Sequence, residues 1–285
     1  MSPAAVQYIA ARSSDEVLAA LAQGDAWVLA GGQSLVLDMT NRDVRPRRVV
    51  DINRVAEFDV LTEVDGMLRV APLVRHRTFE TDAVGGALGK LLRTIVCHIG
   101  HPPIRARGTM LGSLAYAHPA AEWPVVAVVL GAQLDLVGPC GRRTVTAEHF
   151  FTGPFTTTRR PEELLAEVRL PTLPTDTGAG FAEHRPTDAK FAQVAVMAAV
   201  TVTGGMVSAA QIGLVNAGPC PVRAHAAEQA LTGTGFSDTA IAVAARAAAN
   251  TDANPHRRPA AGRPYQRTAI EVLTRRALTQ AREGT

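Results

Sequence analysis

The amino-acid sequence predicts a mixed α/β protein with a large hydrophobic core, and three observations support this prediction. Hydrophobic residues make up 47% of the 285 residues, which is enough to bury a sizeable core. Short apolar or alternating segments, typical of strands, recur between longer segments with helical spacing. Glycine and proline clusters separate these segments, as they do at turns. The length fits one large domain or two smaller ones.

The N-terminal elements follow in order. Ser14 begins a predicted helix, whose apolar face carries Val17, Leu18 and Leu21 and which ends at Gly24. Three strands are predicted at residues 27–30, 49–52 and 68–71, because each segment is short and apolar or alternating.

The remaining elements fall on both sides of a segment rich in Pro, Thr and Gly at residues 171–180, which predicts a linker and the best domain boundary. Before it we predict helices at 87–99 and 121–130 and strands at 133–137 and 164–170. After it, a Gly-Gly turn joins segments 194–203 and 209–215 into a hairpin. Helices are then predicted at 222–232, 237–250 and 265–282.

Composition argues against several classes of protein. The net charge is +3, but 26 acidic residues are interspersed with the basic ones, so no nucleic-acid partner is expected. The three cysteines lie far apart without a CxxC pair, which argues against an iron–sulfur cluster or structural zinc in this chain. The first residues lack a signal-peptide pattern, and no apolar run reaches the roughly 20 residues of a membrane span. We therefore expect a cytoplasmic protein without an integral membrane segment.

One glycine-rich segment follows the predicted strand at 27–30. It consists of Ala30, Gly31, Gly32, Gln33, Ser34 and Leu35. Paired glycines allow successive backbone N–H groups to converge on an anion, and Ser34 can cap the next helix. By itself, such a segment is more often an ordinary turn.

A second small-residue segment occupies positions 104–114 and includes Thr109, Gly112 and Ser113. It could hold the other half of a dinucleotide, or it could be a surface turn. A GxGxxG fingerprint, a GxSxG elbow and a P-loop are all absent from the sequence, so a classical nicotinamide dehydrogenase is disfavoured. Cys97, His98 and His101 form only a partial set of metal ligands, which is more often structural.

Taken together, these segments resemble the FAD-binding medium subunit of molybdenum-containing hydroxylases, the family of carbon monoxide dehydrogenase and xanthine dehydrogenase. The resemblance rests on both small-residue segments in this order and extends along most of the chain. The further matching segments are 47–53, 99–105, 115–124, 163–171, 217–224 and 265–278. Each motif is short, but their collinear order makes the combined signal specific.

The resemblance implies an α+β fold. Residues 1–173 would form a PCMH-type FAD-binding domain with two subdomains, at about 1–57 and 58–173. Residues 178–285 would form a small α+β C-terminal domain with an antiparallel sheet and helices, like that of the carbon monoxide dehydrogenase flavoprotein.

The resemblance also implies a function and a cofactor. This chain would hold FAD and pass electrons from two [2Fe–2S] clusters of a small partner subunit to an external acceptor. The substrate would be oxidised at a molybdopterin-type molybdenum cofactor of a large partner subunit, in a dimer of heterotrimers. No catalytic residue and no metal site are implied in this chain itself. The implied FAD-binding residues are Ala30, Gly31, Gly32, Gln33, Ser34, Leu35, Ile104, Thr109, Gly112, Ser113, Ala117, His118, Leu165, Lys190 and Gln193.

Three positions depart from the family pattern. Leu111 stands at the first glycine of the second loop, where a positive φ would cost a leucine roughly 1–2 kcal/mol. His118 replaces an aspartate, and Lys190 stands where the family has another aspartate. These changes leave open a flavin-free scaffold subunit with a decayed site. A nucleic-acid-binding protein, which the basic pI suggests, is the second alternative, and a free-standing flavin oxidase is a minor third.

The C-terminal segment at residues 255–282 carries seven arginines against one acid, Glu271. Such a segment is usually a solvated face, and in an assembly it could also guide docking to an acidic partner. The sequence favours the solvated face slightly.

Overall fold

The computed structural model describes residues 6–41, 43–187, 191–254 and 262–285. Both helices and strands occur in the N-terminal and the C-terminal half of the chain. The strands are β1 Gln7–Ala10, β2 Ala26–Leu29, β3 Arg48–Asp51, β4 Leu61–Val64, β5 Met67–Val70, β6 Gln133–Gly138, β7 Gly141–Thr146, β8 Phe151–Gly153, β9 Thr156–Thr157, β10 Leu164–Pro171, β11 Thr177–His184, β12 Val194–Thr203, β13 Met206–Val215 and β14 Val222–Arg223. The helices are α1 Ser14–Ala22, α2 Leu35–Thr40, α3 Gly86–Val96, α4 Pro102–Arg107, α5 Met110–Tyr116, α6 Glu122–Val129, α7 Ala147–Phe150, α8 His225–Leu231, α9 Asp238–Ala247 and α10 Arg263–Glu283.

The first unit is a three-stranded parallel sheet in the order β1-β3-β2. Helix α1 covers it with the apolar face that the sequence predicts, because Val17 and Leu21 are buried. Ser13 caps this helix by accepting a hydrogen bond from the amide of Glu16. The strand β2 ends where the first glycine-rich segment begins.

The second unit is an antiparallel five-stranded sheet in the order β4-β5-β10-β6-β7. Helices α3, α5 and α6 contribute to the large core of this unit, in which Trp123 is a buried aromatic side chain. All residues of α6 are buried, so this helix is apolar on every side apart from Glu122 at its first turn.

The third unit is an antiparallel four-stranded sheet, β11-β12-β13-β14, packed against α8, α9 and α10. The predicted hairpin is present as β12 and β13, with Gly204 and Gly205 at its turn. The segment 171–180, however, is not a linker throughout. Its first residue ends β10, its last four belong to β11, and only residues 172–176 connect the two strands.

The predicted helix at 222–232 is also shorter than expected, because residues 222–223 pair with β13 as the edge strand β14. Among the described residues, no helix combines the length and the apolar character that crossing a membrane requires.

Candidate functional site

The first loop, residues 30–34, connects β2 to α2. Gly32 has a φ of +76°, a conformation that glycine adopts without strain. The backbone N–H groups of Gly31, Gly32, Gln33 and Ser34 donate to no acceptor in the described part of the chain. Four successive amides with no acceptor among the described residues are available to an anion. Ser34 does not cap α2 with its side chain, so the capping bond expected for it is absent.

The second segment is the start of helix α5 rather than an open loop. The hydroxyl of Thr109 accepts a hydrogen bond from the amide of Gly112 at 3.0 Å and so caps the helix. Leu111 lies inside α5 with its side chain buried in the core, and its φ is not positive. The conformational cost that a positive φ would impose on a leucine therefore does not arise, because the position is helical.

The two segments touch each other through their backbones. A Cβ on Gly31 would lie 2.3 Å from the carbonyl oxygen of Arg107 and 2.7 Å from the Cα of Gly108. Farther along, the hydroxyl of Tyr116 donates to Asp38 at 3.1 Å and joins α5 to α2. Burial and the neighbouring Asp38 carboxylate raise the pKa of Tyr116 to about 12, so this donor keeps its proton. The predicted pair of loops thus forms one surface.

A buried histidine supports the second segment from inside. The ring of His76 lies against Gly108, where a Cβ would come within 2.7 Å of Nε2. Its Nδ1 accepts a hydrogen bond from Nε1 of Trp123 at 2.9 Å, and its backbone amide donates to Gly108. Burial, together with the charges of Arg105 and Arg75, lowers the pKa of His76 to about 3. His76 is therefore a neutral, structural side chain at physiological pH. No motif in the sequence predicts this role.

An aromatic cluster lies beyond the end of α5. Ala117 ends the helix in the left-handed conformation, with a φ of 52°, and His118 follows it. The His118 ring stacks on Phe191 with a centroid distance of 3.9 Å and an interplanar angle of 13°. Its Nδ1 accepts a hydrogen bond from the amide of Ala120, while Phe155 meets the ring edge-on. The structure therefore places His118 in an aromatic stack that the sequence did not predict.

The other predicted residues lie in varied surroundings. Ile104, in α4, is half-buried and would contact a Cβ on Gly100. The backbone N–H of Gln193 donates to the backbone carbonyl of His184. Leu165 is only 4% exposed and belongs to the large core, together with Leu111. Ser113 and Leu35 are half-buried in α5 and α2. Lys190 lies outside the described residues, and contact of each of these side chains with FAD stays a prediction.

One residue of the partial set of metal ligands, His98, pairs with a carboxylate outside that set. His98 binds the carboxylate of Glu183 through Nδ1 at 2.7 Å. In the described ranges, no three His, Cys, Asp or Glu side chains are arranged to hold a metal ion.

Part of the positive charge of the C-terminal arginines is neutralised within the chain, since Arg282 pairs with Asp238 and Arg275 pairs with Glu271.

These features fit the pyrophosphate of a dinucleotide. The first loop offers four successive amides that have no acceptor among the described residues, and the close approach at Gly31 leaves no room for a side chain between the two segments.

Comparison with known proteins gives matches along nearly the whole chain. A family model described as the FAD binding domain in molybdopterin dehydrogenase matches residues 4–173, and one described as the CO dehydrogenase flavoprotein C-terminal domain matches residues 180–281. The alpha subunit of the 6-hydroxypseudooxynicotine dehydrogenase complex of Paenarthrobacter nicotinovorans is 33% identical over 99% of this chain and 96% of its own length. The carbon monoxide dehydrogenase medium chain of Afipia carboxidovorans is 30% identical over 99% of this chain and 98% of its own length.

Among solved structures, a chain of the carbon monoxide dehydrogenase from Hydrogenophaga pseudoflava that lacks the Mo-pyranopterin moiety superposes with a TM-score of 0.92. The two chains are 31% identical, and the match covers 99% of each. The similarity in sequence and in structure therefore extends over both halves of the chain.

Proposed function

Since this chain belongs to the family of FAD-binding medium subunits of molybdenum hydroxylases, we propose that it is the electron-transfer subunit of a three-subunit oxidoreductase. In this proposal a small partner with [2Fe–2S] clusters delivers electrons to the FAD of this chain, which passes them to an external acceptor. A large partner with a molybdopterin-type molybdenum cofactor oxidises the substrate. The complete assembly is a dimer of such heterotrimers.

The observation that carries the proposal is the contact between the two segments of the FAD-binding domain. A Cβ on Gly31 would lie 2.3 Å from the Arg107 carbonyl oxygen, so the backbones of the two segments are in contact, and four successive amides of the first segment have no acceptor among the described residues. FAD suits the proposed position in the complex because it accepts electrons singly and releases them as a pair.

The residues of this chain bind and orient the cofactor rather than react. The amides from Gly31 to Ser34 would hold the pyrophosphate, and the cap at Thr109 would fix the start of α5 beside it. The hydrogen bond between Tyr116 and Asp38 keeps α5 and α2 in register. No proton transfer by a side chain of this chain is part of the proposal.

The test is reduction of the flavin by the iron–sulfur partner. The FAD-loaded chain is mixed without oxygen with a reduced [2Fe–2S] small subunit from the same organism, and the visible flavin absorption is followed. We expect this absorption to bleach, and to return when an electron acceptor is added. Free FAD at the same concentration is the control for reduction outside the protein site. A flavin that stays oxidised in the mixed complex would contradict the proposed electron transfer, although FAD binding itself would stand.

A further inference from the structure

A guanidinium group joins the two segments of the FAD site. Nη1 of Arg75 donates to the backbone carbonyl of Arg107 at 2.6 Å, and Nη2 donates to Oδ1 of Asn53 at 2.6 Å. Arg75 also forms a β-bridge with Thr109, the residue that caps α5. The Arg75 side chain therefore connects the backbone of the second segment to Asn53, which lies two residues after the end of β3.

Asn53 completes the link to the first loop. Its Nδ2 donates to the carbonyl of Ala30 at 2.9 Å and to Oδ1 of Asp51 at 2.6 Å. The backbone N–H of Asn53 donates to the same Asp51 oxygen. These two bonds to Asp51 fix the orientation of the Asn53 side chain. A continuous chain of hydrogen bonds thus runs from Ala30 through Asn53 and Arg75 to Arg107. Both of its ends lie at the closest approach of the two segments, next to Gly31.

The charge of Arg75 has no direct counterpart. Both of its hydrogen-bond partners are neutral oxygens, and none of the carboxylates in the described ranges lies within ion-pair distance of it. Asp51 is engaged by Asn53 and by the hydroxyl of Tyr8. Burial is the largest cause that lowers the pKa of Arg75, followed by the charge of Arg107, while the carboxylates of Asp59 and Asp51 act in the opposite direction from beyond ion-pair distance. The guanidinium stays protonated.

We propose that Arg75, held by Asn53, is a positioning residue for FAD. Its guanidinium acts as a fork that keeps the first loop against the second segment, and its charge, which forms no direct ion pair with a described carboxylate, favours the dianionic pyrophosphate beside the backbone amides of the first loop. A planar guanidinium suits this task because it presents two parallel donors, whereas a lysine ammonium cannot span two oxygens in fixed geometry. The inference rests on the FAD-binding domain and does not require the proposed electron transfer.

The experiment measures FAD binding by the full-length chain without any partner subunit. The FAD-free chain is titrated with FAD, and the quenching of flavin fluorescence gives the Kd. For Arg75→Met we expect the Kd to rise about 10- to 100-fold, since two charge-assisted hydrogen bonds are lost. For Arg75→Lys we expect a Kd between those of the wild type and Arg75→Met, because the charge is kept and the fork is lost.

Arg77→Met is the matched control. Arg77 lies two residues away, is exposed, and makes no hydrogen bond or ion pair with any described residue. Its replacement removes the same charge from the same segment, and we expect a Kd within about twofold of the wild type. Equal Kd values for Arg75→Met and Arg77→Met would overturn the proposal.

Two further measurements separate positioning from folding. Thermal unfolding of the FAD-free chains should be nearly the same for the wild type and Arg75→Lys, while their Kd values differ. An Arg75→Lys chain that binds FAD as tightly as the wild type would overturn the role of the fork. The Kd should also depend less on salt in Arg75→Met than in the wild type, because salt screens the attraction between Arg75 and the pyrophosphate. An unchanged salt dependence would overturn the role of the charge.

Discussion

Replacing Gly31 with alanine tests whether the two segments must touch for FAD to bind. The added Cβ would lie 2.3 Å from the carbonyl oxygen of Arg107, and 2.7 Å from the Cα of Gly108. Carbon and oxygen atoms in contact normally stay about 3.3 Å apart, so the backbones must separate by about 1 Å. Both neighbours are backbone atoms, and no flexible side chain can move aside. The φ of Gly31 is not in the left-handed region, so the expected effect is steric.

The expected magnitude follows from the cost of forcing one carbon into a packed contact. Overpacking of this kind typically costs about 1–3 kcal/mol. If the segments part in the FAD-free chain and must close again around the cofactor, this cost weakens FAD binding by about 5- to 150-fold. A movement of about 1 Å would also lengthen the 2.6 Å bond between Arg75 and Arg107 beyond hydrogen-bonding range.

The assay is FAD titration of Gly31→Ala beside a glycine variant without a steric conflict. Gly85 is suitable, since a Cβ there would meet nothing within 4 Å and its φ is −86°. We expect Gly85→Ala to bind FAD like the wild type and Gly31→Ala to bind it much more weakly. Equal affinities of the two variants would refute the reasoning that the site needs the backbone contact at Gly31.

Three other predictions concern stability, measured by thermal or denaturant unfolding of the full-length chain. Thr109→Val removes the hydroxyl that caps α5 at Gly112 and should cost about 1 kcal/mol; an unchanged midpoint would contradict the cap. Burial, with a further contribution from a nearby carboxylate, raises the pKa of Glu122 to about 8, from an ordinary value of 4.5. The folded chain therefore keeps a proton that the unfolded chain loses, and stability should fall as the pH rises from about 4.5 through 8. Glu122→Gln should flatten this decline, and an unaltered pH profile would count against a protonated Glu122. Gly180→Ala places a Cβ 2.0 Å from the Ala277 carbonyl oxygen and should destabilise the packing of β11 on α10. The folded variant should keep the FAD affinity of the wild type. A variant as stable as the wild type would contradict this tight packing.

The elements with a strong local pattern could be predicted from the sequence. The long C-terminal helix was expected at 265–282 and extends from Arg263 to Glu283, because apolar residues recur there at helical spacing. The strand at 49–52 and the hairpin after residue 194 were also recognised, since they are apolar and end at turn residues. Short edge strands such as β4 and β7 were missed, because polar edge strands carry little pattern.

The strand β11 shows how tertiary packing can override a local signal. Its glycines at 178 and 180 suggested a linker, yet they lie in a strand whose face packs directly on the backbone of α10. A Cβ at Gly178 would lie 1.9 Å from the carbonyl of Ala281, so glycine is required by a neighbour about a hundred positions away along the chain. A glycine used for close packing and one used for flexibility look alike in a single sequence.

The sequence by itself determined that this chain carries two small-residue segments in the order typical of a family that binds FAD, because those motifs depend on local residue types. It could not determine that the segments touch at Gly31, that Leu111 is helical, or that Arg75 and Asn53 join the two loops. These features depend on contacts between residues far apart in the chain, which form only when β2, β3 and α5 pack together. Only the tertiary structure decided them, since a single sequence records which side chains are present and not which of them meet.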